Sequence, residues 1–191
     1  PEIDAVVFTA NKCLEGVPGA AFALARSDRL EAAAGQAGSW SFDLADVAAR
    51  LKAGDGARFT PPAQVLNALS VALDRLEAEG GPAARLVRYR ANMHVLHAGM
   101  RGLGLAPVLG ADVQGPIVVN VHAPADPRWD LQRFVDAVKR RGFVISNFYN
   151  TARPSFRLGC IGALRPADMR RAVGAIGAAL EELGVRERKA A

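Results

Sequence analysis

Two short apolar runs near the start of the chain, divided by a glycine- and proline-punctuated stretch, constrain its fold more than any other feature. Ile3 to Phe8 brings Val6, Val7 and Phe8 in succession, and Ala20 to Ala25 forms the second run. Apolar runs this short, bounded by turn residues, read as buried strands. Gly16, Pro18 and Gly19 supply the turn between them. Lys12 stands where the first run breaks, within Thr9-Ala10-Asn11-Lys12-Cys13-Leu14-Glu15-Gly16-Val17-Pro18-Gly19. An amine at the mouth of two buried strands is partly desolvated, which favours its uncharged form and its attack on a carbonyl. The residues alone leave a second reading open, a surface lysine in a loop.

Helical periodicity takes over further along. A helix starts at Ser27-Asp28, and another is expected from about Ser41 to Ala53, with Leu44, Val47, Ala48 and Leu51 on one face and Gly54-Asp55-Gly56 ending it. Arg58-Phe59-Thr60-Pro61-Pro62 has the form of a helix start, with Thr60 as N-cap and Pro61 in the first turn, and the helix should run to Glu79. Such a start can bind an anion through the Thr60 hydroxyl, although two prolines remove two backbone donors; an ordinary cap is the alternative. Gly80-Gly81-Pro82 marks the internal boundary, separating residues 1–82 from residues 83–191.

Beyond it, Leu86, Tyr89, Met93, Leu96, Met100 and Leu103 mark the core stripe of a long helix from Ala83 to Gly102. Pro116 to Val121 reads as a strand, Asp130 to Arg140 as a helix, and Phe143 to Ile145 and Ser155 to Ile161 as further strands. A closing helix after Arg165-Pro166 carries Met169, Val173, Ile176, Leu180 and Leu183. Strands and helices in this order predict an α/β fold, with a small α/β sandwich in the second half. In the strand from Ser155, Phe156, Leu158 and Cys160 share one face, which leaves Arg157 on the other beside Gly159. A guanidinium fork there suits a carboxylate or a phosphonate; a solvated sheet face or a structural ion pair is the other reading.

Composition narrows the function classes. The chain has 191 residues, half of them hydrophobic, enough to bury one or two cores. No apolar stretch reaches the roughly 18 to 20 residues of a membrane span, and Pro1-Glu2-Ile3-Asp4 lacks the basic and apolar regions of a signal peptide. Cys13 and Cys160 are too few for a disulfide framework, so a cytoplasmic setting is expected. His94 and His97 are three apart on a helix, but no third ligand follows at zinc-like spacing, and no metal site is expected. The net charge of +5 comes mainly from scattered arginines with few aromatics among them, which argues against nucleic acid and leaves a small anionic ligand open.

Three stretches then combine. The Thr9 to Gly19 motif, Arg58-Phe59-Thr60-Pro61-Pro62 and Phe156-Arg157-Leu158-Gly159-Cys160-Ile161-Gly162 together resemble the 2-aminoethylphosphonate:pyruvate transaminase family, class V aminotransferases of pyridoxal phosphate (PLP) fold type I. The resemblance runs nearly end to end and includes Tyr89-Arg90-Ala91-Asn92 and His122-Ala123-Pro124. It implies that the chain is the C-terminal part of that fold, residues 1–82 closing the large α/β domain and residues 83–191 forming the small one.

The same resemblance implies roles. Lys12 matches the lysine that anchors pyridoxal 5'-phosphate covalently and later moves a proton between substrate and cofactor. Thr60 matches a threonine that reaches the cofactor phosphate of the neighbouring subunit in a homodimer. Arg157 matches the arginine that holds the substrate anion, the carboxylate of pyruvate or alanine and the phosphonate of the amine donor. The implied reaction moves the amino group of 2-aminoethylphosphonate to pyruvate, giving phosphonoacetaldehyde and L-alanine.

Two departures bear on this. The family's phosphate-cradling loop, ring-stacking aromatic and pyridinium-pairing aspartate precede the lysine strand and lie outside these 191 residues, which alone are expected to be inefficient. The loop from Ser146 to Pro154 replaces the family's Pro-Gly-Lys type turn, leaving roles for Tyr149, Asn150 and Arg153 open. An alanine- or serine-glyoxylate specificity, a catalytically silent remnant and a basic anion- or nucleic-acid-binding module are the alternative readings.

Overall fold

The computed structural model describes residues 3–146 and 151–189. The chain divides into two compact units, Pro1–Arg75 and Leu76–Ala191.

In the first unit, β1 (Ala5–Thr9) and β2 (Ala21–Ala25) form an antiparallel hairpin with Val7 opposite Ala23 and Thr9 opposite Ala21. Phe8 and Phe22 face each other across it, ring centroids 5.4 Å apart. The expected burial of these strands is corrected here: Val7 is 68% exposed and Leu24 66%. Apolar runs of this kind are buried only when something covers both faces of the sheet, and among the described residues of this unit the hairpin has no third strand.

Helix α1 (Ser27–Ala32) follows the hairpin, and α2 (Leu44–Ala53) begins three residues later than the periodicity predicts. Asp43 sets that start, since its carboxylate accepts from the backbone N–H groups of Ala45 and Asp46 at 3.0 and 3.1 Å. Gly54 closes the helix in the left-handed region, at φ 83°. Helix α3 (Ala63–Glu79) starts after both prolines. The Pro62 carbonyl accepts the first helical bond, from Leu66 N–H at 3.0 Å. Thr60 is therefore not the N-cap expected of it.

The second unit holds the main core. Helix α4 (Gly81–Gly102) carries Pro82 in its first turn, where a missing N–H costs nothing. Two strands, β3 (Val118–His122) and β4 (Ser155–Gly159), pair antiparallel, with α5 (Leu131–Arg140) between them in sequence and α6 (Pro166–Glu182) after them. Val119 and Val121 of β3 and Phe156 and Leu158 of β4 point into one core with Met93, Leu96 and Met100 of α4, Phe134 and Val138 of α5, and Ile176 and Leu180 of α6. Phe134 and Phe156 meet edge to face at a centroid distance of 5.0 Å.

Several expectations shift. Leu86 is 39% exposed and leaves the stripe of α4, while Arg85 and Asn92 are buried on it. Phe143 to Ile145 forms no strand; only Ser146 makes an isolated bridge, to Arg157. His94 is exposed and His97 buried, with Nε2 3.0 Å from the Leu109 carbonyl, so the two rings do not share an environment. Among the described residues no helix is long and apolar enough to cross a membrane.

Candidate active site

Lys12 sits in the turn that leaves β1. Two backbone bonds close this turn, Glu15 N–H to the Lys12 carbonyl at 3.0 Å and Gly16 N–H to the Ala10 carbonyl at 2.8 Å. Glu15 takes a left-handed φ of 59°, and Gly16 packs so closely that a Cβ there would lie 3.1 Å from both Cβ and O of Ala10. Ala10 is buried beneath, and Thr9 Oγ1 donates to Asn11 Oδ1 at 2.7 Å. The amine is thus carried on a well-fixed backbone. Its side chain is exposed, so the partial desolvation expected of it is not supplied by the described residues.

Thr60 lies on the extended stretch before α3 and is also exposed. Its neighbour Arg58 holds this stretch to α2, a feature that sequence patterns did not single out. The Arg58 side chain is only 4% exposed; its guanidinium lies over the Trp40 ring at 3.8 Å, and Nη1 is 3.1 Å from Asp46 Oδ2. Trp40 also packs edge to face on Phe59 at 5.8 Å. The signal was present as Asp46, Arg58 and Trp40, but their juxtaposition is tertiary. The described residues show no hydrogen bond or ion pair between Lys12 and Thr60.

Arg157 belongs to the second unit. It projects from β4 on the face opposite the core, as the alternation of Phe156 and Leu158 requires. Asn120 stands directly across from it in the register, and His122 lies two residues along on the same face. Arg157 Nη2 reaches Ser146 Oγ at 3.4 Å. Tyr149 and Asn150 fall outside the described residues. Arg153 is described and exposed; its carbonyl accepts from Thr151 Oγ1 at 2.6 Å.

The turn after β4 is held from behind by α4. Asn92 Nδ2 donates to the carbonyls of Cys160 and Leu164 at 2.9 and 3.1 Å. Arg88 Nη1 donates to those of Gly162 and Leu164 at 2.6 and 2.9 Å. Arg88 and Arg85 in turn pair with Glu79, at 2.7 and 2.8 Å. These bonds, chiefly with the Arg88 guanidinium, bring the Glu79 carboxyl down from its ordinary 4.5 to about 2. This clamp, buried at Asn92 and Arg85 and half-buried at Arg88 and Glu79, fixes the end of the strand that carries Arg157.

No protein-family model matches the chain. Individual proteins do. A protein named 2-aminoethylphosphonate–pyruvate transaminase from Burkholderia ambifaria is 49% identical over 183 residues, 96% of this chain and 49% of that protein. Its namesake from Burkholderia pseudomallei is 47% identical over 184 residues, 96% of this chain and 50% of that protein. The chain is a homologue of these transaminases. It spans about half the length of the curated relatives it matches.

Solved structures agree on the fold. Pyridoxamine–pyruvate aminotransferase from Mesorhizobium loti is 25% identical, with a TM-score of 0.83 over 97% of this chain and 48% of its own. Ureidoglycine–glyoxylate aminotransferase from Bacillus subtilis, 22% identical, superposes with a TM-score of 0.79 over 96% of this chain and 48% of its own. The predicted fold class, an α/β portion of the class V aminotransferase fold, is the one observed.

Proposed function

We propose that the protein carrying this chain is a PLP-dependent transaminase that moves the amino group of 2-aminoethylphosphonate to pyruvate, giving phosphonoacetaldehyde and L-alanine. One observation carries the reading: 49% identity over 183 residues to a protein of that name. The solved aminotransferases that share the fold are named for amino donors other than 2-aminoethylphosphonate, at identities of 20 to 25%, and weigh less for specificity.

The residues of the first unit suit two ends of the cofactor. Lys12 offers a primary amine on a fixed turn, matched to an aldehyde, and Thr60 offers a hydroxyl engaged by no described residue, matched to a phosphate. PLP, when bound, supplies the electron sink that the bond changes at the substrate carbon require. Lys12 Nζ holds the cofactor and then carries the proton to and from that carbon. Arg157 holds the anionic end of the substrate through its fork of N–H donors. In this reading Thr60 serves the phosphate of a neighbouring subunit in a homodimer, residues 1–82 end a large domain, residues 83–191 form a small one, and the protein is cytoplasmic.

The test supplies the protein with PLP, 2-aminoethylphosphonate and pyruvate and follows both products. Alanine and phosphonoacetaldehyde in equal amounts are expected. Turnover of alanine with glyoxylate, and none with 2-aminoethylphosphonate, would overturn the substrate assignment in favour of the sister specificity.

A further inference from the structure

The face of β3 and β4 turned away from the core holds buried polar atoms that no described residue satisfies. Asn120 Oδ1 and His122 Nδ1 are each buried without a hydrogen-bond partner. A buried acceptor or ring nitrogen left without a partner is destabilising, so such atoms are rare unless a ligand, an ion or another surface meets them. Their position decides which. Asn120 is the cross-strand partner of Arg157, which puts the two side chains about 5 Å apart at Cβ, and His122 lies diagonal to Arg157 on the same face.

The three groups differ in what they ask of a ligand. Arg157 only donates. A neutral imidazole can carry its proton on Nδ1 and donate there, whereas an amide oxygen only accepts. A carboxylate has acceptor oxygens alone, so it satisfies the guanidinium and the imidazole but, with the Asn120 amide oriented as in the structure, sets a negative oxygen against Oδ1 and is met there only if the amide turns its Nδ2 donor inward. A phosphonate carrying one proton has acceptor oxygens and an O–H donor, and its second ionisation falls near neutral pH. It satisfies all three.

We propose that Asn120 and His122 complete, with Arg157, an anion subsite matched to a hydrogen phosphonate in preference to a carboxylate. Arg157 and His122 Nδ1–H donate to the P–O⁻ and P=O oxygens, and the P–O–H donates to Asn120 Oδ1. Asn120 is then the specificity-determining residue. The inference rests on the transaminase reading for its substrate, and its test uses bare headgroups so that the two can fail separately.

The probes are methylphosphonate and acetate, titrated into the intact protein and followed by the ring resonances of the three histidines, assigned with a His122→Gln variant. Methylphosphonate is expected to shift the His122 ring and leave His94 unmoved. Asn120→Val should weaken methylphosphonate about tenfold or more, the effect of losing one hydrogen bond to a charged ligand, while acetate changes less than about threefold. Asn120→Thr, which restores an acceptor and keeps a strand-favouring shape, should recover part of the preference and guards against a folding defect. No His122 response to methylphosphonate, or equal weakening of both probes by Asn120→Val, would overturn the subsite. Phosphonate selectivity without 2-aminoethylphosphonate turnover would keep the subsite and remove the parent reading; turnover without selectivity would do the reverse.

Discussion

Asn92, fully buried on α4, donates through Nδ2 to the carbonyl of Cys160 at 2.9 Å and so ties the strand that carries Arg157 to the longest helix among the described residues. Replacing it with leucine keeps the volume and removes a donor from two carbonyls, of which that of Leu164 keeps its bond from Arg88 and that of Cys160 loses the bond from Asn92. Urea unfolding should show a loss of about 1 to 3 kcal/mol, the cost of a buried polar group left unmet. An unchanged midpoint would mean that water reaches these carbonyls.

Gly99 shows a second constraint on α4. A Cβ there would lie 2.4 Å from Val173 Cγ2 on α6, closer than any real contact. Alanine gains about 1 kcal/mol of helix propensity over glycine, but overpacking a core costs about 1 to 3 kcal/mol. Gly99→Ala should therefore destabilise, and adding Val173→Ala should return most of the loss. Additive losses in the double variant would contradict this packing.

Stability should also depend on Glu79 in acid. Its pKa in the folded protein lies below the ordinary value of 4.5, at about 2, through hydrogen bonds from Arg88 and Arg85. For a lowered carboxyl the stabilisation is complete above the ordinary value and is lost as pH falls from there through about 2. Thermal unfolding of wild type and Glu79→Gln should differ at neutral pH and converge as the solution approaches pH 2. A gap that persists unchanged into acid would show that the pair contributes little as an ion pair.

The two cysteines should separate cleanly. Cys13 is exposed, whereas Cys160 is buried and its thiol is pushed up to about 11 by desolvation. A disulfide reagent at mildly alkaline pH should modify one thiol in the native protein and both in denaturant. Rapid labelling of Cys160 in the native state would contradict the closed core beside β4.

Much of the second unit could be read from local pattern. The α6 stripe of Met169, Ile176 and Leu180 and the alternation of Phe156, Arg157 and Leu158 need only periodicity, and both appear as expected. Features that depend on a neighbour could not be read this way. Phe143 to Ile145 has strand composition but finds no ladder partner, and Val7 and Leu24 have buried-strand composition but stand exposed in a two-stranded hairpin. Thr60 carries the residue type of a cap, yet the helix begins only after Pro62, because the backbone of a residue before proline is driven to extended geometry. For the site, Lys12 and Arg157 were legible by residue type and position, whereas the Arg58 contacts, the Asn92 clamp and the orphaned atoms of Asn120 and His122 exist only once distant segments meet.

The role of Lys12 can be tested covalently. The protein is incubated with PLP, reduced with borohydride and digested, and the pyridoxyl-bearing peptide is sequenced. A single modified lysine, Lys12, is expected, in the peptide that contains Thr9-Ala10-Asn11-Lys12-Cys13. Modification at Lys52, Lys139 or Lys189 in its place, or no stable modification at all, would contradict it.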